Sequence, residues 1–171
     1  MRKLLSHLDI KLSLFLIFLF CFQQGQSQTY DKESDNQIGD TAINFSYVAN
    51  GEIRTLYELI EEKKTNVLVL FHSPECEVCA KTKKKLAKSK QIKKLQNEGK
   101  LTVLAIAVET NQKTWETNCK NLPIEWVNAY CQECEPITKS YIWTVPTLFL
   151  IGKDLRVIDR EFEHHEKNHY N

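Results

Sequence analysis

The chain lacks an excess of charge of either sign. Its 23 lysines and arginines face 22 aspartates and glutamates, for a formal net charge of +1. Charge alone therefore does not point to nucleic acid as a partner. No period recurs along the sequence, which excludes solenoid and array architectures. A long apolar run is also missing: the stretch Leu12 to Phe22 has 11 residues, whereas a comfortable membrane span needs about 20. What remains is a chain of 171 residues, the size of one ordinary domain with enough length to bury its own core.

The short apolar run has the surroundings of an export signal. Arg2, Lys3 and Lys11 give a positive start, and Gly25-Gln26-Ser27 offers small residues at a cleavage site. Residues 1–27 are expected to be a signal peptide, with the mature chain starting at Gln28 and carrying 20 basic against 21 acidic residues. An uncleaved anchor and a lipoprotein built on Cys21 are the alternatives. Phe18-Leu19-Phe20 lacks the small residue that a lipoprotein signal wants before its cysteine. The expected location is across the inner membrane, in the periplasm, where disulfides persist. Five cysteines then remain, Cys76, Cys79, Cys119, Cys131 and Cys134. Five is odd, so at least one thiol is free or pairs outside the chain.

The informative stretch is Val67 to Cys79, VLVLFHSPECEVC. An apolar run of the kind buried on both faces ends in a Ser-Pro turn, and two cysteines three positions apart open a helical segment. A helix start offers unpaired backbone N–H groups and a partial positive charge, both of which favour a thiolate. The i, i+3 spacing puts both sulfurs on one face, within reach of a disulfide. Cys76 reads as the attacking sulfur and Cys79 as the resolving one. C-x-x-C alone also serves zinc; between a strand and a helix it reads as redox.

Around this stretch the remaining elements fall in order. Residues 28–37 are polar and read as a flexible mature amino terminus, 38–160 as the folded domain, and 161–171 as a polar tail with His164, His165 and His169. Asn50-Gly51 predicts a hairpin turn between strands at 43–48 and 52–54. Thr55 and Glu58 form a capping box for a helix reaching about Lys64. After Cys79, Ser89 marks a break between two helices. Nine lysines lie between Lys81 and Lys100 against one acid, Glu98; they read as a solvated face, or else as a docking surface for an acidic partner. Leu101–Val108 predicts a second buried strand, with Glu109 at its carboxyl end. A short helix over 110–122 holds Cys119, read as a small buried hydrophobe. A third strand spans 125–130. A two-turn helix starts at Glu135-Pro136. Thr144-Val145-Pro146-Thr147 then leads into a terminal hairpin of strands 148–151 and 155–159.

Strand, C-x-x-C, helix, strand, then Thr-Val-Pro entering a hairpin resembles the thioredoxin-like superfamily. Gly39, Ala42 and Phe45 fill a G-x-x-A-x-x-F stretch similar to the amino-terminal extension of its secreted TlpA/ResA-type branch. The resemblance implies an α/β three-layer fold: a central mixed β-sheet with helices on both faces and an amino-terminal β-hairpin extension. It implies that Cys76 attacks a substrate disulfide and that Cys79 resolves the mixed disulfide. It further implies that Pro146 is cis, leaving the Val145 backbone free to pair with a bound substrate chain. Three departures stand out. Glu75 precedes Cys76 where the family has Trp, and Glu77 follows, so two carboxylates oppose a thiolate that the helix start favours. Leu70 stands where thioredoxins bury a proton-accepting acid; Glu109 is a candidate substitute, against a plain solvated strand-end acid. The closing helix is short or missing, since only about ten polar residues follow the hairpin.

Cys131 and Cys134 follow the third strand at once, on the sheet edge that carries Cys76. Three readings stand side by side: a local disulfide, a second redox couple exchanging with Cys76–Cys79, or a four-sulfur metal site with them. The expected function is a secreted thiol–disulfide oxidoreductase acting on protein thiols or disulfides, without a cofactor or nucleic acid. As a reductase it would need a membrane electron donor. The rivals are a metal-binding or metallochaperone protein and a thioredoxin-fold binding module with a structural disulfide. No T-x-x-C segment is present, which speaks against a peroxidase.

Overall fold

The computed structural model describes residues 35–108, 110–118, 122–142 and 144–162. The expected signal peptide, Glu109, Cys119 and the histidine-containing tail after the hairpin lie outside them, as does any closing helix.

The amino-terminal extension forms β1 (Ser46–Ala49) and β2 (Glu52–Thr55). Asn50 and Gly51 join them with positive φ of 53° and 80°, the backbone that a two-residue hairpin turn requires. β1 lies later than the expected 43–48, reaching Ala49 because the turn consumes only those two residues, and β2 starts at the expected Glu52 and runs one residue further. Thr55 then caps α1 (Leu56–Lys63). Its hydroxyl accepts the Glu58 N–H at 3.2 Å, and the Glu58 carboxylate accepts the Thr55 N–H at 2.8 Å. This satisfies two of the helix's unpartnered donors.

β3 (Asn66–His72) leads to α2 (Glu77–Lys88) and α3 (Lys90–Asn97). The break falls at Ser89, which has extended backbone and caps α3 by accepting the Ile92 N–H at 3.3 Å. β4 (Leu101–Ala107), α4 (Gln112–Asn118), β5 (Val127–Tyr130), α5 (Glu135–Ser140), β6 (Thr147–Ile151) and β7 (Val157–Phe162) complete the order.

The sheet runs β2-β1-β5-β4-β3-β6-β7. β3, β4 and β5 are parallel, and every other pairing is antiparallel. Alternation along β3 sends Val67, Val69 and Phe71 to one face, where they meet Leu56, Leu59 and Ile60 of α1 and Ile137 of α5. Leu70 goes to the other face with Val103, Ala105 and Leu148, covered by Leu86 and Ala87 of α2 and Ile92 of α3. Both faces are therefore covered, which is why β3 and β4 read as continuous apolar runs. The three-layer mixed sheet expected from the sequence is the one observed. Phe45, Phe71, Tyr141 and Phe149 form an aromatic cluster with centroids 4.9–6.5 Å apart. Truncating Phe71 at its centre would cost about 3–5 kcal/mol.

Two further expectations from the sequence need adjustment. The closing strand begins at Val157 rather than Leu155, because the turn extends to Arg156, whose carbonyl accepts the Gly152 N–H at 2.7 Å. Asp35 and Asn36, read as part of the end of a flexible lead over 28–37, are docked. Asp35 pairs with Arg160 at 2.8 Å with both side chains largely buried, and the Asn36 N–H donates to the Ser140 carbonyl at 3.0 Å.

Candidate active site

The site starts where β3 ends. His72 aligns with Ala107 of β4, and Ala107 with Tyr130 of β5, so the three parallel strands end level. Beyond His72 the chain turns at Ser73-Pro74, with the Cys76 N–H donating to the Ser73 carbonyl at 3.3 Å. Cys76 is the N-cap of α2. Its backbone is extended, and its Sγ accepts the Cys79 N–H at 3.1 Å. That is where an anionic sulfur gains most from the first turn of a twelve-residue helix. Cys76 and Cys79 form a disulfide with Cα atoms 5.2 Å apart. Cys76 is half-buried and Cys79 fully buried, an asymmetry that suits one attacking and one resolving sulfur.

Of the two neighbouring carboxylates, both are exposed, and Glu77 is matched by Lys81 at 2.9 Å one helical turn on. The opposing charge is therefore solvated and partly compensated. Apart from half-buried Lys83, the lysines of α2 and α3 are exposed. The opposite wall is the segment before β6. The Val145–Pro146 peptide bond is cis, as the resemblance implied, and the Val145 carbonyl lies 3.9 Å from Cys76 Sγ. The β3–β6 ladder begins only at Phe71 and Thr147, so Val145 stands outside it, beside the sulfur.

Leu70, at the place of the missing acid, is fully buried in an apolar cluster. Two positions on, His72 is 4% exposed, and neither ring nitrogen makes a well-formed hydrogen bond. Burial, and secondarily the Lys83 charge, push its pKa down to about 3; a weak backbone interaction at Ser73 opposes this. In the sequence, His72 reads as the end of an apolar strand. Its signal was a titratable residue closing a run of buried hydrophobes.

The second pair occupies the same edge. The Cys131 N–H donates to the Ala107 carbonyl at 3.1 Å, extending the β5 ladder by one residue. Cys134 directly precedes α5, and the two cysteines form a disulfide with Cα atoms 5.3 Å apart. Among the described residues no group of three or more His, Cys, Asp or Glu side chains is disposed to hold a metal, so the four sulfurs do not converge on one centre. A broad cleft lined by Lys93, Gln96, Ile124 and Trp126 opens at the opposite, amino-terminal edge, beside Leu101 and Val127.

The sequence pattern of the thioredoxin-like domain family matches residues 54–161, which include both cysteine pairs and Pro146. No curated protein matches the chain. Among solved structures, a thioredoxin-like protein from Bacteroides caccae is 29% identical with a TM-score of 0.66; the match covers 74% of this chain but only 46% of that one. The C-terminal domain of an uncharacterised protein from Bacteroides fragilis is 27% identical with a TM-score of 0.66, over 73% of this chain and 89% of that one. The thioredoxin domain of a thiol-disulfide oxidoreductase from Bacteroides vulgatus shares the fold at 18% identity and a TM-score of 0.61, over 74% and 89% of the two chains. With its matched region spanning most of its length, its sheet order and its cysteine-capped helix, the chain belongs to the thioredoxin-like domain family.

Proposed function

We propose that this protein is an exported thiol–disulfide oxidoreductase whose working couple is Cys76–Cys79. The observation that carries the reading is the half-buried Cys76 sulfur capping α2 beside the Val145 carbonyl. In the reduced enzyme the Cys76 thiolate attacks one sulfur of a substrate disulfide. The S–S bond breaks, the other substrate sulfur leaves and takes a proton, and a mixed disulfide forms. Cys79 then gives up its proton and attacks Cys76 Sγ. The second substrate thiol departs, and Cys76–Cys79 is left as a disulfide. Two electrons have moved to the substrate, with one proton from Cys79 and one from solvent; the reverse sequence oxidises a dithiol.

Val145 and Pro146 form the substrate-binding wall, the Val145 backbone pairing with an extended substrate segment. The expected signal peptide supports a periplasmic location. A reductase there draws electrons from a membrane donor and needs no bound cofactor, since the sulfurs carry them. The B. vulgatus relative, described as a thiol-disulfide oxidoreductase, is in keeping with this reading.

The test is a redox titration by differential alkylation with peptide mapping, alongside reduction of a model protein disulfide such as insulin. Cys76 and Cys79 opening together as one two-electron couple, with turnover lost in C76S, is the expected result. A pair that stays closed under strong dithiol reductant, or turnover that survives C76S, defeats the proposal.

A further inference from the structure

The reaction above leaves Cys131 and Cys134 unused, yet they too form a C-x-x-C disulfide between a parallel strand and a helix. Each pair follows the end of a parallel strand, and β3 and β5 flank the same central strand β4. Neighbouring strands lie about 4.8 Å apart, so the two strand ends are separated by roughly 10 Å. Each pair also has one buried and one half-buried sulfur. In the first pair Cys76 is the half-buried one. In the second the order is reversed: Cys131 is buried and Cys134 half-buried.

Cys134 and Val145 both pack on the edge of the main core cluster, and Val145 is the residue whose carbonyl faces Cys76 Sγ. As a staple, by contrast, the second disulfide does little. It closes a loop with a sequence separation of 3, and short loops restrict the unfolded chain least.

We propose that Cys131–Cys134 is a second thiol–disulfide couple that exchanges electrons with Cys76–Cys79, with Cys134 as its attacking sulfur. The exchange rests on Cys76–Cys79 being the working couple. It balances without any further reactant. The Cys134 thiolate attacks Cys76 Sγ, the Cys76–Cys79 bond breaks, and Cys79 leaves and takes a proton. Cys131 gives up its proton and attacks Cys134 Sγ, and Cys76 departs as thiolate. Two electrons pass from the second pair to the first, and the return path is the same sequence reversed.

The test uses the full chain with Cys21 and Cys119 replaced by serine. Adding Cys79→Ser and Cys131→Ser leaves one half-buried sulfur from each pair. Mild oxidation should then give an intramolecular Cys76–Cys134 bond, identified by non-reducing digestion and mass spectrometry, at a rate unchanged by tenfold dilution. In the parent with both pairs intact, one equivalent of dithiol should redistribute between the pairs, again independently of protein concentration. Two persistent thiols, or exchange that slows tenfold on tenfold dilution, overturn the proposal, with circular dichroism confirming that the variant is folded. A variant with Cys131→Ser and Cys134→Ser reads the first couple alone on insulin. Its inactivity would count against the working couple itself, whereas full insulin turnover without a Cys76–Cys134 bond would count only against the exchange.

Discussion

Cys76–Cys79 and Cys131–Cys134 stand two strands apart on one sheet edge; a carbonyl lies near each half-buried sulfur, but only that of Cys76 also meets a backbone N–H. Cys76 Sγ accepts the Cys79 N–H at 3.1 Å. Cys134 Sγ lies 3.5 Å from the Cys131 carbonyl and caps no N–H. A donor favours the sulfur as an anion; a carbonyl favours it as a protonated thiol. The helices differ in the same sense, twelve residues behind Cys76 and six behind Cys134. Spacing makes a pair able to close; the backbone donor at the sulfur decides which pair is the better oxidant.

The largest expected effect is on chemistry. C76S should lower reduction of a protein disulfide by at least about a thousandfold, since it removes the nucleophile itself, while C134S should leave the first couple able to turn over in a single round. Stopped-flow measurement of one turnover separates the two; comparable losses would erase the distinction between the pairs. Next in size is the order of opening. Stabilising the reduced, anionic form makes a couple the better oxidant, so Cys76–Cys79 should open at a dithiol concentration roughly tenfold to a hundredfold lower than Cys131–Cys134 needs, the worth of one hydrogen bond to a charged group. Differential alkylation across a series of thiol buffers reads both pairs in one sample.

A third expectation concerns the buried base at the foot of the first pair. His72 is held neutral, its pKa lowered from 6.5 to about 3. Between those values the unfolded chain binds the proton that the folded chain refuses. Stability is therefore fully present above pH 6.5 and falls as the pH drops toward 3, by up to about 1.4 kcal/mol per pH unit. Urea unfolding from pH 7 to 4 should show this slope, and H72L should flatten it; an unchanged slope would assign acid sensitivity elsewhere. The smallest effect belongs to Glu77. E77Q removes a carboxylate beside Cys76 that is exposed and paired with Lys81. The attack rate should rise about twofold or less, with stability altered by less than about 0.5 kcal/mol.

Much of this edge was legible from residue types whose constraints are local. Asn50-Gly51 dictates a turn, Thr55 and Glu58 a helix start, Ser89 a break, and a cysteine pair after an apolar run marks its strand's exit. The β3 and β4 runs read as buried on both faces because they are. What stayed hidden depends on distant partners. Asp35 and Asn36 look like solvated lead sequence until Arg160 and Ser140 are placed beside them. His72 looks like a strand terminus until α2 closes over it with Lys83. The level ending of β3 and β5 follows from register across β4, which no local pattern encodes. The proton-accepting role considered for Glu109 falls outside the described residues.

The docking of Asp35 against Arg160 also fixes where the chain enters and leaves. β7 runs antiparallel to β6, so Phe162 pairs with Thr147, next to Pro146, and Asp35 lies against Arg160 two positions earlier. Entrance and exit of the described residues therefore lie together along β7, the exit end next to the cis-proline. Any neighbour joined covalently at either side would be on a short leash to Cys76, and leash length would set how often the two meet.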